Sequence, residues 1–307
     1  MARVGLYAGL YQNKGVGHIV RTASLYHYLE STYFQHEFHF ATNDPAKTKP
    51  ILENFEIFAD QQEINSCDVL LLDSPEDEND LLDRVEYKRL IRLDFFDYLD
   101  NRVDVIINLF NHNPITLTGS AKIYEGLDYT ILKDEVLNAQ DHSESKTDKK
   151  LSKVLVAFSG NDPANNTIKA VQRMSSFDVR MKVVCPSQKS LNDYVDYADQ
   201  AVFIAPTSKF GMLLADCDLF ICAGGTALVE ALFLGKPILA IAQNVMEKRF
   251  IEYVGGEVKI YTFDDVEDIS NNYGLIENST RKEYRKLVDG KGKERIGRII
   301  LNLLGEE

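Results

Sequence analysis

The chain has 307 residues, 45% apolar and 26% charged, which fits two ordinary globular domains of roughly 150 residues each. Its net charge of −13 is unevenly spread, with 15 basic against 26 acidic residues in 1–150 and 19 against 21 in 151–307. So acidic a surface excludes a nucleic-acid backbone as partner and repels an anionic membrane, and no apolar run reaches the roughly 18–20 residues that span a bilayer.

The chain opens directly on a strand-like run, Val4-Gly5-Leu6-Tyr7-Ala8, with no basic region ahead of an apolar core, so it does not read as a signal peptide. Short β-branched and aliphatic runs then alternate with amphipathic stretches, the pattern of a parallel α/β sheet. In the first half the expected strands are Val4–Ala8, Phe38–Thr42, Val69–Asp73, Leu90–Asp94, Val105–Leu109 and Tyr129–Leu132. The acidic run from Asp73 to Glu86 reads as a solvated helix face. Residues 138–150 (NAQDHSESKTDKK) are polar and without period, and are expected to link a domain of 1–140 to one of 151–307. The second half restarts with Val154–Phe158, Val179–Val184, Val202–Ile204, Leu219–Cys222, Pro237–Ile241 and Val258–Tyr261, and a basic amphipathic tail from about Arg281 to Leu304 closes as helix. Cys67, Cys185, Cys217 and Cys222 lie singly in apolar surroundings, as in a reducing cytoplasm.

Three strand-to-helix turns carry the candidate chemistry. The first is Gly15-Val16-Gly17-His18, with Arg21 one helical turn on. Glycines before a helix let the backbone approach an anion, and the helix start presents N–H groups with positive partial charge. The third glycine of a dinucleotide fingerprint is missing, because Val20 and Arg21 stand in its place. A histidine at this position is either a general base or a first-turn residue bonded to a loop carbonyl, and Arg21 could orient a diphosphate or a sugar substituent. The second turn, Phe158 to Asn165, is either a phosphate site built on Ser159, Gly160 and Asn161 or a turn capped by Asn or Asp. The third, Ala223-Gly224-Gly225-Thr226 with Glu230 one turn later, makes a nest of amides for a diphosphate and a carboxylate for ribose hydroxyls. Its plain alternative is tight strand-to-helix packing with an exposed glutamate. Asp216-Cys217-Asp218 reads as structural, and the remaining histidines show no metal-ligand spacing. No metal and no cofactor is expected.

Taken together and in order, Gly15-x-Gly17-His18-x-x-Arg21, Phe158-Ser159-Gly160-Asn161-Asp162-Pro163-Ala164-Asn165, Gly119 with Tyr129-Thr130-Ile131-Leu132-Lys133-Asp134-Glu135, and Ala223-Gly224-Gly225-Thr226…Glu230…Gly235-x-Pro237 resemble one family. It is the UDP-2,4-diacetamido-2,4,6-trideoxy-β-L-altropyranose hydrolases of pseudaminic acid biosynthesis, relatives of spore-coat polysaccharide proteins and of the UDP-GlcNAc transferase of peptidoglycan synthesis. The resemblance implies an α/β fold of two Rossmann-like domains facing across a cleft, glycosyltransferase-B-like, with UDP held mainly by the second. It implies metal-independent hydrolysis of a UDP-sugar with inversion, His18 activating water, Gly224, Gly225 and Thr226 on the diphosphate, and Glu230 on the ribose. Ser159, Gly160 and Asn161 would face the cleft, and Ile204 would lie where relatives contact the uracil. Two departures fall on the sugar side: Gln243-Asn244-Val245 replaces an Asn-Gln pair, leaving Asn244 as the matched residue, and Asp94-Phe95 replaces paired aspartates. The alternatives are an inverting glycosyltransferase using a UDP-activated amino sugar, and a non-catalytic UDP-sugar binder.

Overall fold

The structure is a computed structural model that describes all residues except 12–15, 58–63, 75, 77, 95–101, 110–120, 144–149, 159–161, 187–188 and 307, and the side chain of Asn54. The chain divides into two units, Met1–Lys133 with Gly290–Glu307, and Asp134–Asp289.

In the first unit, β1 (Arg3–Ala8), β2 (Glu37–Ala41), β3 (Ser66–Asp73), β4 (Glu86–Leu93), β5 (Val105–Asn108) and β6 (Lys122–Glu125) form one parallel sheet in the order β2-β1-β3-β4-β5-β6. Helices α1 (Gly17–Thr32), α2 (Pro45–Leu52) and α3 (Asn79–Arg84) belong to the same unit. Val69 and Leu71 of β3 enter one apolar cluster and Leu70 and Leu72 another. Both faces of the sheet are therefore covered, which is why its strands read as unbroken apolar runs rather than alternating ones. Helix α1 supplies Ile19, Leu25, Tyr26 and Leu29 to the first cluster, each aliphatic side chain contributing about 1.5–3 kcal/mol on burial.

In the second unit, β7 (Lys153–Ala157), β8 (Arg180–Val184), β9 (Val202–Ile204), β10 (Leu219–Cys222) and β11 (Ile238–Ala240) form a parallel sheet in the order β11-β10-β7-β8-β9. Its helices are α4 (Asp134–Asn138), α5 (Asn166–Met174), α6 (Phe210–Asp216), α7 (Thr226–Leu234), α8 (Val245–Glu257) and α9 (Val266–Leu287). Two parallel sheets with interleaved helices make two Rossmann-like units, the expected α/β class.

Several expectations are corrected. Helix α10 (Gly292–Leu304) groups with the first unit, not with 151–307, because Ile296, Ile299 and Ile300 complete the core of Ile19, Leu25 and Leu29. The expected linker begins as structure: α4 ends at Asn138 and a 3-10 turn covers Ala139–His142. Residues 134–143 group with the second unit, where the Ser143 hydroxyl donates to the Leu234 carbonyl at 2.8 Å. Residues 129–132 are not a strand, since a 3-10 turn at Leu127–Tyr129 uses that backbone. The sixth strand is Lys122–Glu125, whose exposed charged ends mark an edge and hide it from a hydrophobicity reading. Residues 258–261 contribute only an isolated bridge from Tyr261 to Leu239. The acidic run is not all solvated either: Asp73 is 1% exposed.

Candidate functional site

In doubly wound sheets, ligands gather beyond the C-terminal strand ends at the point where strand order reverses. Here those points lie between β1 and β3 in the first sheet and between β7 and β10 in the second.

The first corner is built on α1. Val16 precedes it without a side-chain cap, and Gly17 begins the helix in an exposed position. The ring of His18 turns back to the carbonyl of Gly9, the residue after β1, and bonds to it through Nε2. A carbonyl only accepts, so Nε2 carries the proton and Nδ1 holds the lone pair. Burial pushes the imidazole below its ordinary value of 6.5; Asp73, the Gly9 bond and Asp94 oppose that shift, while Arg21 adds to it. The ring is thereby set up as a neutral base. Gly15 lies outside the described residues.

Arg21 does not serve as expected. It is 7% exposed, and its guanidinium is committed: Nε and Nη2 donate to the two oxygens of Asp73 at 2.8 and 2.6 Å, and Nη1 donates to Asp94 at 2.9 Å. The Thr22 hydroxyl donates to the same Asp73 carboxylate at 2.6 Å. The flanking carboxylates keep the arginine charged despite complete burial. Asp73 ends β3 and Asp94 follows β4, so the arginine ties the first turns of α1 to two strand ends and holds His18 in place. Asp94 sits in the left-handed region at φ +55°, which aspartate, like asparagine, adopts more readily than most residues other than glycine. Phe95 lies outside the described residues. Sequence reading took Asp73 for part of a solvated run; its place as the last residue of a buried strand was the signal that marked it otherwise.

The second corner is built on α7. Gly225 precedes the helix with no side-chain cap, and a Cβ placed on it would meet nothing within 4 Å. Thr226 follows, half-buried, as the first helical residue. A bare helix start of nine residues in open space is suited to an anion. Gly224 plays a different part. A Cβ there would stand 2.5 Å from the Glu247 carbonyl oxygen, so this glycine exists for close packing against the first turn of α8. Its amide is directed at the Glu247 carboxylate, which also accepts from the Gln243 N–H at 2.6 Å, while burial raises the Glu247 pKa. Glu247 is a residue the sequence reading missed. Asn244 caps α8, its Oδ1 accepting from the Glu247 N–H at 2.9 Å, so the side chain matched to sugar contact is held by the backbone. Glu230 is 3% exposed on α7, not exposed on the helix surface. The Ile204 carbonyl accepts from the Cys185 N–H at 2.9 Å and so belongs to the sheet edge.

In the turn after β7 one carboxylate is already in place. Asp162, 1% exposed, accepts from the N–H groups of Asn166 and Thr167, both at 2.8 Å, and closes the start of α5 with a carboxylate. Ser159, Gly160 and Asn161 lie outside the described residues. Asp218 is structural as expected, accepting from the Ser152 and Lys153 amides at 3.0 and 2.9 Å. Among the described residues no cluster of three His, Cys, Asp or Glu side chains could hold a metal ion.

A family model described as "Protein of unknown function (DUF354)" matches residues 120–303. The chain belongs to that family. The DUF354 match spans the whole second unit and nearly all of α10. Over its full length the chain is 27% identical to the spore coat polysaccharide biosynthesis protein SpsG of Bacillus subtilis (strain 168), with 99% of each covered. Among solved structures it is similar to a MnaA–UDP co-structure from S. aureus, with TM-score 0.66, 12% identity, and 100% and 98% of the two chains covered. It is also similar to a UDP-GlcNAc 2-epimerase from Neisseria meningitidis bound to UDP-GlcNAc, with TM-score 0.61, 12% identity, and coverage of 98% and 100%. At such identities the likeness is of fold, and that fold is glycosyltransferase-B-like, with two Rossmann-like units.

Proposed function

We propose that the protein is an enzyme of UDP-sugar processing that hydrolyses the anomeric C–O bond of a UDP-linked sugar to give UDP and free sugar. The observation that carries this reading is the bare start of α7 at Gly225 and Thr226, open where an anion would sit and set at the switch point of its sheet. The UDP and UDP-GlcNAc bound in two of its fold relatives supply the class of ligand. The first unit supplies the base. Nδ1 of His18 takes a proton from water, the water oxygen bonds to C1, and the bond from C1 to the phosphate oxygen breaks with its electron pair on UDP. The positive end of α7 stabilises that departing charge. The resemblance to the pseudaminic acid pathway hydrolases makes a 2,4-diacetamido-trideoxy hexose the first sugar to try.

An NMR time course on a panel of UDP-sugars tests this. Release of UDP and of free sugar with inverted anomeric configuration, without added acceptor, is the expected result. Release only when an acceptor is added would instead make the protein a transferase, and thermal protection by UDP-sugars with no turnover would make it a binder. His18→Ala lowers turnover by about two to four orders of magnitude while UDP still binds. Because the base must be neutral and burial lowers its pKa, kcat/KM persists on acidification to a midpoint below 6.5 and falls beneath it.

A further inference from the structure

A second group of polar side chains stands at the same strand ends of the first unit. Ser74 follows β3 directly, and its hydroxyl lies 2.8 Å from Glu78 Oε1, 3.0 Å from the Tyr11 hydroxyl and 3.1 Å from the Glu76 N–H. A serine hydroxyl has one proton to give and two lone pairs. The Glu76 N–H can only donate and takes one lone pair; the carboxyl O–H of protonated Glu78 takes the other, and the Ser74 proton goes to the Tyr11 hydroxyl. The chain therefore has a direction: Glu78 donates to Ser74, Ser74 donates to Tyr11, and the Tyr11 proton is left for a further acceptor. Tyr7 of β1 donates to the other Glu78 oxygen at 3.3 Å. At its far end the chain reaches Gly9, against which the Tyr11 hydroxyl packs so closely that a Cβ there would stand 2.2 Å from it. Gly9 is the residue whose carbonyl holds His18.

We propose that Tyr11, Ser74 and Glu78 form a hydrogen-bonded proton relay that gives the first unit a second acid–base group, donating a proton to the oxygen that departs as His18 accepts one from water. The proposal rests on the hydrolase reading. In balance, the departing phosphate oxygen takes the Tyr11 proton, Tyr11 takes that of Ser74, Ser74 takes that of Glu78, and the carboxylate is left ionised. His18 ends the cycle protonated and Glu78 deprotonated, and exchange with solvent restores both. The surroundings favour this division of roles. Burial raises Glu78 to about 7, partly offset by the Tyr7 bond and by Arg92 of β4, with Asp80 of α3 adding to the rise. Arg84 of α3 acts on the Tyr7 hydroxyl. Burial moves His18 the other way, and two groups whose environments push their pKa values apart are suited to act as acid and base together.

Two measurements on the full-length protein test the relay. In the first, carbon-13 NMR follows the side-chain carboxyl of Glu78, assigned by its loss in Glu78→Gln. Titration near pH 7, moved by Ser74→Ala and by Tyr11→Phe, is expected. Titration in the ordinary carboxylate range, or indifference to both variants, overturns the relay whether or not any UDP-sugar is turned over. In the second, the pH profile of UDP release is compared between wild type and Glu78→Gln, with Ser74→Ala as the milder variant should the first fold poorly. The expected profile is a bell whose alkaline limb, about pH 7 in wild type, disappears in Glu78→Gln as kcat/KM falls about a hundredfold. An alkaline limb retained in a folded Glu78→Gln overturns the relay's role in the reaction while leaving His18 untouched.

Discussion

Helices α5 and α7 follow β7 and β10, the two strands that flank the switch point of the second sheet, yet their first turns differ in kind. The start of α5 is closed by the buried carboxylate of Asp162, with two amides bonded to it. The start of α7 carries no side-chain cap and opens on space at Gly225. Both turns carry glycine or asparagine after an apolar strand, so composition alone does not separate them. What separates them is whether the protein supplies its own anion. Helix α1 of the first unit resembles α7 in lacking a side-chain cap, but one turn into it Arg21 closes a buried ion cluster with Asp73 and Asp94.

Substitutions arranged by size test that contrast between closed and open corners. Arg21→Ala leaves Asp73 and Asp94 buried without their guanidinium and is expected to destabilise the protein by about 3–5 kcal/mol. Denaturant unfolding measures it, and a loss below about 1 kcal/mol would show that the ion cluster does not support the fold. Gly224→Ala forces a methyl against the Glu247 backbone and should cost about 1–3 kcal/mol of stability, read as a fall in Tm. Asp162→Ala removes the cap of α5 for about 0.5–2 kcal/mol, with no change in UDP affinity by calorimetry. Gly225→Ala has the smallest effect on stability, within about 0.5 kcal/mol, because the added methyl meets nothing. It should nonetheless weaken protection by UDP in a thermal melt. Equal Tm losses in Gly224→Ala and Gly225→Ala would erase the distinction between the two glycines.

Much of the architecture was legible because parallel strands buried on both faces leave apolar runs, and because α1, α5 and α7 all begin where a strand-turn-helix pattern placed them. Legibility failed where partners lie far apart in sequence. Arg21 looked like a ligand-binding arginine because Asp73 and Asp94, 52 and 73 residues away, were not visible as its partners. Glu78 and Asp73 were hidden within an acidic run whose average is hydrophilic although these two members are drawn inward. Gly224 and Gly225 are adjacent and chemically identical in sequence, and only the arrival of Glu247 on α8 gives one to packing and leaves open space beside the other.

The placement of α10 bears on how the polypeptide matures. Ile296, Ile299 and Ile300 belong to the hydrophobic interior organised around α1, but they are translated after everything in Asp134–Asp289. During synthesis the amino-terminal sheet must wait, one side of its interior unsealed, while the later-encoded half can already finish. Helix α1, which carries His18, is thus translated well before α10, the helix that completes its interior, and a chain released just short of Gly292 would leave that interior unsealed.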